Sequence, residues 1–161
     1  MCFWDIIFHP VRGVFFNPFQ RAPDDLFTPE FRVARAPLIE ARLQAIQDPV
    51  LLQELLLTNL RAHHPRANHF VNWLLLSQPL VVRAVERIPN AHLIAVFRRL
   101  LRDLRHNCAG FPDLIIFPRD GGYLMVEVKG PGDALQANQR RWMRFFADHN
   151  MPAEVVNVTW Q

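Results

Sequence analysis

The sequence predicts an α/β fold in which a small mixed sheet is flanked by helices and joined to an inserted helical layer. Three observations predict it. Two short apolar runs, LIIF and YLMVEV, are separated by a turn containing Pro and Gly, which reads as a β-hairpin. Before them, apolar residues recur at helical spacing from Pro37 to about His106. After them, ALQANQRRWMRFFADHN is amphipathic and AEVVNVTW alternates, so the chain ends as strand, strand, helix, strand.

With 161 residues, half of them hydrophobic, the chain is long enough for one domain with a sizeable core, which excludes global disorder. Its two cysteines, Cys2 and Cys108, form neither a disulfide framework nor a zinc spacing. The formal charge is +3 and the pI about 9.5, a mild arginine-based basicity that permits nucleic-acid binding without requiring it. No apolar run reaches the roughly 20 residues that span a bilayer, so no membrane association is expected. The opening, MCFWDIIFHPV, lacks a basic leader region and is not a signal peptide. It reads as the end of a buried helix whose beginning lies upstream. The expected location is the bacterial cytoplasm and nucleoid or the eukaryotic nucleus, not the exterior.

Taken in order, residues 1–36 are a helix end broken by Pro10, then an ordered loop pinned by phenylalanines in core pockets. Arg32 and Arg35 in this part are candidate phosphate contacts, with a plain surface charge the better reading of each. Residues 37–106 are the helical layer. Pro37 starts one helix, Asp48–Pro49 a leucine-rich second, and residues 69–78 and 79–88 two short ones, with Pro79 as a starter. Asn90 caps the most regular helix, AHLIAVFRRLLRDLRH. Its apolar positions Leu93, Ile94, Val96, Phe97, Leu100, Leu101 and Leu104 form a broad face. Its arginines, Arg105 among them, suit either the helix dipole or a phosphate backbone. His63, His64 and His69 lie close together, but with no carboxylate or cysteine near them a polar turn is the better reading than a metal site. Residues 107–161 are the strand-bearing part, in which Asp133 is placed to cap the helix that buries Leu135, Trp142, Phe145 and Phe146.

The hairpin carries the chemistry. Side chains two apart in a strand share a face, so Glu127 and Lys129 point the same way, and the hairpin brings Asp113 to the same sheet end. Two carboxylates, with the Val128 carbonyl between the functional side chains, are oxygen donors of the kind Mg²⁺ or Mn²⁺ favours. Lys129 would orient or deprotonate a water, or stabilise charge on a phosphoryl transition state. The structural alternative is a salt bridge between strand neighbours.

GFPDLIIF and YLMVEVKGPGDALQANQRRW closely resemble the VRR-NUC domain of the Fanconi-associated nuclease family, a branch of the PD-(D/E)xK nucleases. The resemblance extends upstream through FWDIIFHPVRGVFFNPFQRAPDDLFTPEF, IEARLQAI and RDLRHNCAGFPDL, and so covers essentially all of residues 1–161 as a single domain. It implies a restriction-endonuclease-like core and a structure-selective nuclease of interstrand crosslink repair. Such a nuclease cuts flapped or branched duplex DNA near 5′ flaps and trims from the 5′ side with Mg²⁺ or Mn²⁺. By position, Asp113 and Glu127 would be metal ligands and Lys129 the catalytic lysine. Gln139 would contact the site or a DNA phosphate, with Arg105, Arg35 and Arg140 further candidate DNA contacts. The helical insertion resembles one that keeps such domains monomeric. The family carries a further glutamate upstream of FWDIIF, so this chain is expected to be the C-terminal catalytic part of a longer nuclease, working beside its other domains. Two rivals remain: a DNA-binding module without catalysis, and a scaffold domain docking through CFWDIIF.

Overall fold

The structure, a computed structural model, describes residues 1–159. It divides into two compact units, Met1–Leu104 and Arg105–Gln161. Among the described residues, no helix is long and apolar enough to cross a membrane.

The first unit is helical. α1 (Trp4–Ile7) is a single turn, followed by a loop to α2 (Pro29–Ala45), α3 (Pro49–His63), α4 (Gln78–Arg87) and α5 (Asn90–Arg102). Phe31, Ile39, Leu43, Ile46, Leu52 and Leu101 form its core together with Cys2, Phe3 and Ile6. CFWDIIF is therefore not a docking edge. Its apolar side chains, apart from the half-buried Ile7 and Phe8, are already buried within this unit.

Several helix limits differ from the sequence reading. α2 begins at Pro29 and runs through Pro37, which sits inside it. Pro37 deprives the Val33 carbonyl of its helical partner, and Val33 lies on the exposed side, where water can replace that bond. Residues 69–76 form turns and bends instead of a helix, and α4 starts after Ser77, whose hydroxyl accepts from Leu80 N. Asn90 is the first residue of α5 and does not cap it. Its amide donates to the carbonyls of Ile46 (2.6 Å) and Gln47 (2.8 Å), tying α5 to the end of α2. The arginine helix ends at Arg102, and residues Leu104–Asn107 form a separate turn, α6. His63 stacks on Trp4, His64 packs edge-on against Trp73, and His69 against Phe27 and Phe70. These three histidines thus serve as aromatic packing partners.

Arg35 requires a correction. It is 0 % exposed, with its guanidinium bonded to Asp25 (2.7 Å), to the Ile6 carbonyl (3.1 Å) and to Phe31 O, and stacked over the Phe31 ring. A buried cation of this kind ties α2 to the N-terminal segment, because burial without such partners would be prohibitive. It does not reach DNA.

The second unit holds the sheet. β1 (Leu114–Ile116) pairs antiparallel with β2 (Leu124–Lys129), which pairs parallel with β3 (Ala153–Asn157) across α7 (Ala137–Asp148). The hairpin is as expected, with Leu114 opposite Val126 and Ile116 opposite Leu124. The last strand is shorter than its alternation suggested, and Trp160 lies outside the described residues. Trp142 and Phe146 are buried and stacked, with Phe111 edge-on to both, while Leu135 and Phe145 are half-buried. α7 begins at Ala137, later than Asp133 would allow. Asp133 instead accepts from Gly130 N (3.0 Å) and closes the turn after β2.

Candidate active site

β2 sets the site. Val126, Glu127 and Lys129 are buried, and Glu127 is only 1 % exposed. Strand alternation puts the Glu127 and Lys129 side chains on one face, where the N-terminus of α7 meets them. The Lys129 ammonium lies 2.8 Å from Glu127 Oε1 and 2.9 Å from Gln139 Oε1, and the Gln139 amide donates to Glu127 Oε1 at 2.5 Å. Partner chemistry fixes how this amide points: an ammonium only donates and a carboxylate only accepts, so oxygen faces Lys129 and nitrogen faces Glu127. Gln139 Oε1 also accepts from Gln136 N (2.8 Å), so the residue capping α7 is also the one that bridges the charged pair.

Asp113 joins from the other side of β2. It stands one residue before β1 and is exposed, and its Oδ2 accepts from Val128 N at 2.9 Å. The ladder explains this contact. Two residues beyond the Leu114–Val126 pair, a continued β1 would set Pro112 opposite Val128, and Pro112 has no N–H to give to the Val128 carbonyl. β1 therefore stops, the Asp113 carboxylate takes the Val128 N–H, and the Val128 carbonyl on the same edge is denied a ladder donor. The next residue turns its backbone the opposite way, as shown by the bond from Val158 N to Lys129 O (2.8 Å).

Asp113, Glu127, the Val128 backbone and Lys129 thus meet at one end of β2, with Gln139 over them. Arg105 on α6 and Arg140 on α7 are exposed in the same unit, and one guanidinium nitrogen of Arg140 is held by the Leu135 carbonyl. Among the described residues, no group of three or more His, Cys, Asp or Glu side chains is placed to hold a metal ion. The carboxylates present are the two the sequence singles out. Both are oxygen donors, and with the Val128 carbonyl they fit a hard divalent cation that retains several waters.

Three features escape inspection of charged residues alone. Pro112 ends the ladder, as above. Gly110 has φ +84°, and a Cβ there would lie 2.8 Å from the backbone carbon of Asn138, so only glycine lets this turn lie against the start of α7. Trp142 Nε1 donates to the Asn107 carbonyl (3.2 Å), which anchors the same approach segment. The signals were a proline beside a strand end and a glycine before it. Lys129, finally, is the only lysine among eighteen basic side chains.

A family model described as the VRR-NUC domain matches residues 49–160. The chain belongs to the VRR-NUC family. It is 44 % identical over 158 residues to a Fanconi-associated nuclease 1 homolog of Pseudomonas aeruginosa, covering 98 % of this chain and 28 % of that protein. It is 37 % identical over 161 residues to a homolog of Oryza sativa, covering 97 % and 17 %. Among solved structures, paFAN1 bound to DNA with a 2-nt 5′ flap and a gap superposes with a TM-score of 0.92 at 43 % identity, covering 99 % of this chain and 29 % of that one. This VRR-NUC chain therefore spans less than a third of the length of the relatives it matches. Both sequence relatives are named as nucleases, and the small mixed sheet with its helices matches the part of the flap-bound structure that it covers.

Proposed function

We propose that this chain is the catalytic part of a divalent-metal-dependent nuclease of the PD-(D/E)xK type, hydrolysing phosphodiester bonds in flapped duplex DNA during crosslink repair. The observation that carries the reading is the burial of the only lysine beside Glu127, at the strand end where Asp113 sits on the Val128 amide. Seventeen of the eighteen Lys and Arg side chains are arginine, and the one lysine stands here, its compact ammonium within reach of both Glu127 and Gln139.

Asp113, Glu127 and the Val128 carbonyl would hold Mg²⁺ or Mn²⁺, which when bound supplies charge to the phosphoryl oxygens and acidifies its water. Lys129 orients the attacking water and stabilises charge as the phosphoryl transition state forms. Gln139 holds Glu127 and Lys129 in mutual register. Arg105 and Arg140 contact backbone phosphates, a role their exposure permits. Both units act as a single monomeric domain, beside the other domains of a longer parent nuclease.

A second reading, a DNA-binding module without catalysis, draws on the direct Glu127–Lys129 ion pair and on the small number of acids at the site. Incubating the chain with a 5′-flap duplex and Mn²⁺, beside Lys129→Ala, separates the two. Cleavage by the parent chain alone is expected. Equal cleavage by both would overturn the assigned mechanism, and binding with steep salt dependence but no cleavage by either would establish the second reading.

A further inference from the structure

The N-terminal loop and the end of α3 enclose an open cavity of about 990 Å³ in the first unit. Its apolar lining is unusual in kind. Apart from Ala67 and two prolines it is entirely aromatic: Trp4, Phe8, Phe15, Phe16 and Phe19, with no Leu, Ile, Val or Met. Exposed aromatic rings offer flat π faces on which a planar ring can stack.

The rings are held in place. Trp4 and His63 stack in parallel at 4.3 Å, and Phe8 stacks on Phe15. Burial, reinforced by the Arg66 charge, lowers the pKa of the His63 ring from its ordinary value. Phe16 and Phe19 are 70 % and 88 % exposed, yet their loop is not loose. The Gln20 carboxamide accepts from Phe16 N and Asn17 N, and Asn17 Oδ1 accepts from Phe19 N at 2.9 Å. Two large rings held outward on a hydrogen-bonded turn are pre-organised for contact.

The charge lining the cavity points to an anionic partner. Asp5 is neutralised by two hydrogen bonds from Arg42 (3.0 and 2.7 Å). Arg66 makes no ion pair among the described residues, and its backbone carbonyl is fixed by Trp73 Nε1 at 2.7 Å. An unpaired nucleotide is a planar aromatic group attached to an anion, and so offers both features at once.

We infer that this cavity is a binding site for a single-stranded nucleotide, its base stacked on the Phe16 and Phe19 rings and its phosphate paired with Arg66. The inference rests on the proposed action on flapped DNA, since a flap supplies unpaired nucleotides. Stacking of a base on an aromatic ring is sequence-tolerant, so the site takes any flap sequence.

The test uses the full chain with a short oligothymidylate and a blunt duplex as separate probes. Phe16→Leu/Phe19→Leu keeps apolar bulk but removes the π faces. Both positions are exposed, so the variant is expected to keep the parent melting temperature. Its affinity for the oligothymidylate should fall about tenfold or more, with duplex affinity unchanged and Phe16→Trp/Phe19→Trp restoring the loss. Unchanged oligonucleotide affinity would overturn the inference, as would an equal loss for oligonucleotide and duplex. Tight binding of a proline-rich peptide at the same rings in place of the oligonucleotide would also overturn it, in favour of a protein ligand. Lys129→Ala serves as the second control: it should bind the oligothymidylate like the parent chain. The nucleotide site and the hydrolytic site can therefore fail independently.

Discussion

Lys129 and Gln139 are joined by a 2.9 Å hydrogen bond, and the same glutamine amide donates to Glu127. One neutral side chain therefore sets the distance between the two charges of the site. Gln139→Glu isolates this function. A glutamate keeps an acceptor for Lys129 and for the Gln136 N–H, so the cap of α7 survives, but it offers Glu127 a like charge in place of a donor. Single-turnover cleavage of a flap duplex is expected to slow about 10–100-fold, the usual effect of losing a partner that orients a metal ligand, with the melting temperature within a few degrees of the parent. Parent-like cleavage by this variant would show that the Gln139–Glu127 bond positions nothing.

Gly110→Ala should damage the second unit more than its size suggests. The φ of +84° disfavours any L side chain, and the added Cβ would also strike the Asn138 backbone, which cannot swing aside as a flexible side chain would. Gly122 provides the comparison: its φ is +69° but nothing lies within 4 Å of a Cβ built there. Gly122→Ala should cost about 1 kcal/mol and Gly110→Ala about 2–4 kcal/mol in denaturant unfolding. Equal losses would mean that the approach to Asn138 carries no energetic weight.

The hairpin and the meeting of Asp113, Glu127 and Lys129 were legible in the sequence because strand alternation has period two and needs no distant partner. Long-range ties were not legible. Arg35 reads as a surface cation until Asp25 and the Ile6 carbonyl are seen to enclose it, and Asn90 reads as a cap until the end of α2 is brought beneath it. Pro37 misled for a related reason. Its preference for a first helical turn is local, while the packing of Phe31, Ile39 and Leu43 on one core carries α2 straight through it. The role of Gln139 was half legible: its place after the turn was evident, but its bridge between opposite charges depends on where α7 begins.

Tyr123, at the start of β2, gives the second unit an alkaline limit. It is buried, and burial pushes its phenol up to about 12 from an ordinary value of 10.0. The folded state therefore holds this proton more tightly than the unfolded state. Its contribution is complete below pH 10 and is lost as pH rises from about 10 to about 12, up to roughly 2–3 kcal/mol. Because Tyr123 is the only tyrosine in the chain, tyrosinate absorbance follows this group alone. Titration should show little ionisation until well above pH 10, and Tyr123→Phe should flatten the decline in stability over that window. Ordinary titration in the folded chain would contradict the burial argument.

The single lysine allows the metal to be sought without activity. Growth on isotopically labelled lysine gives one labelled backbone amide, that of Lys129, adjacent to the Val128 carbonyl. If Asp113, Glu127 and that carbonyl hold a divalent ion, substoichiometric Mn²⁺ should broaden this one resonance through its unpaired electrons, and excess Mg²⁺ should restore it at a shifted position. Asp113→Asn is the matched control. Its side-chain carbonyl still accepts from Val128 N, so the strand end is retained, but its negative charge is gone. The variant should keep the folded spectrum and need about tenfold or more Mn²⁺ for the same broadening. A resonance that ignores Mn²⁺ in the parent chain, or broadens identically in Asp113→Asn, would leave Glu127 and Lys129 as a buried ion pair of strand neighbours and remove the cation from this end of β2.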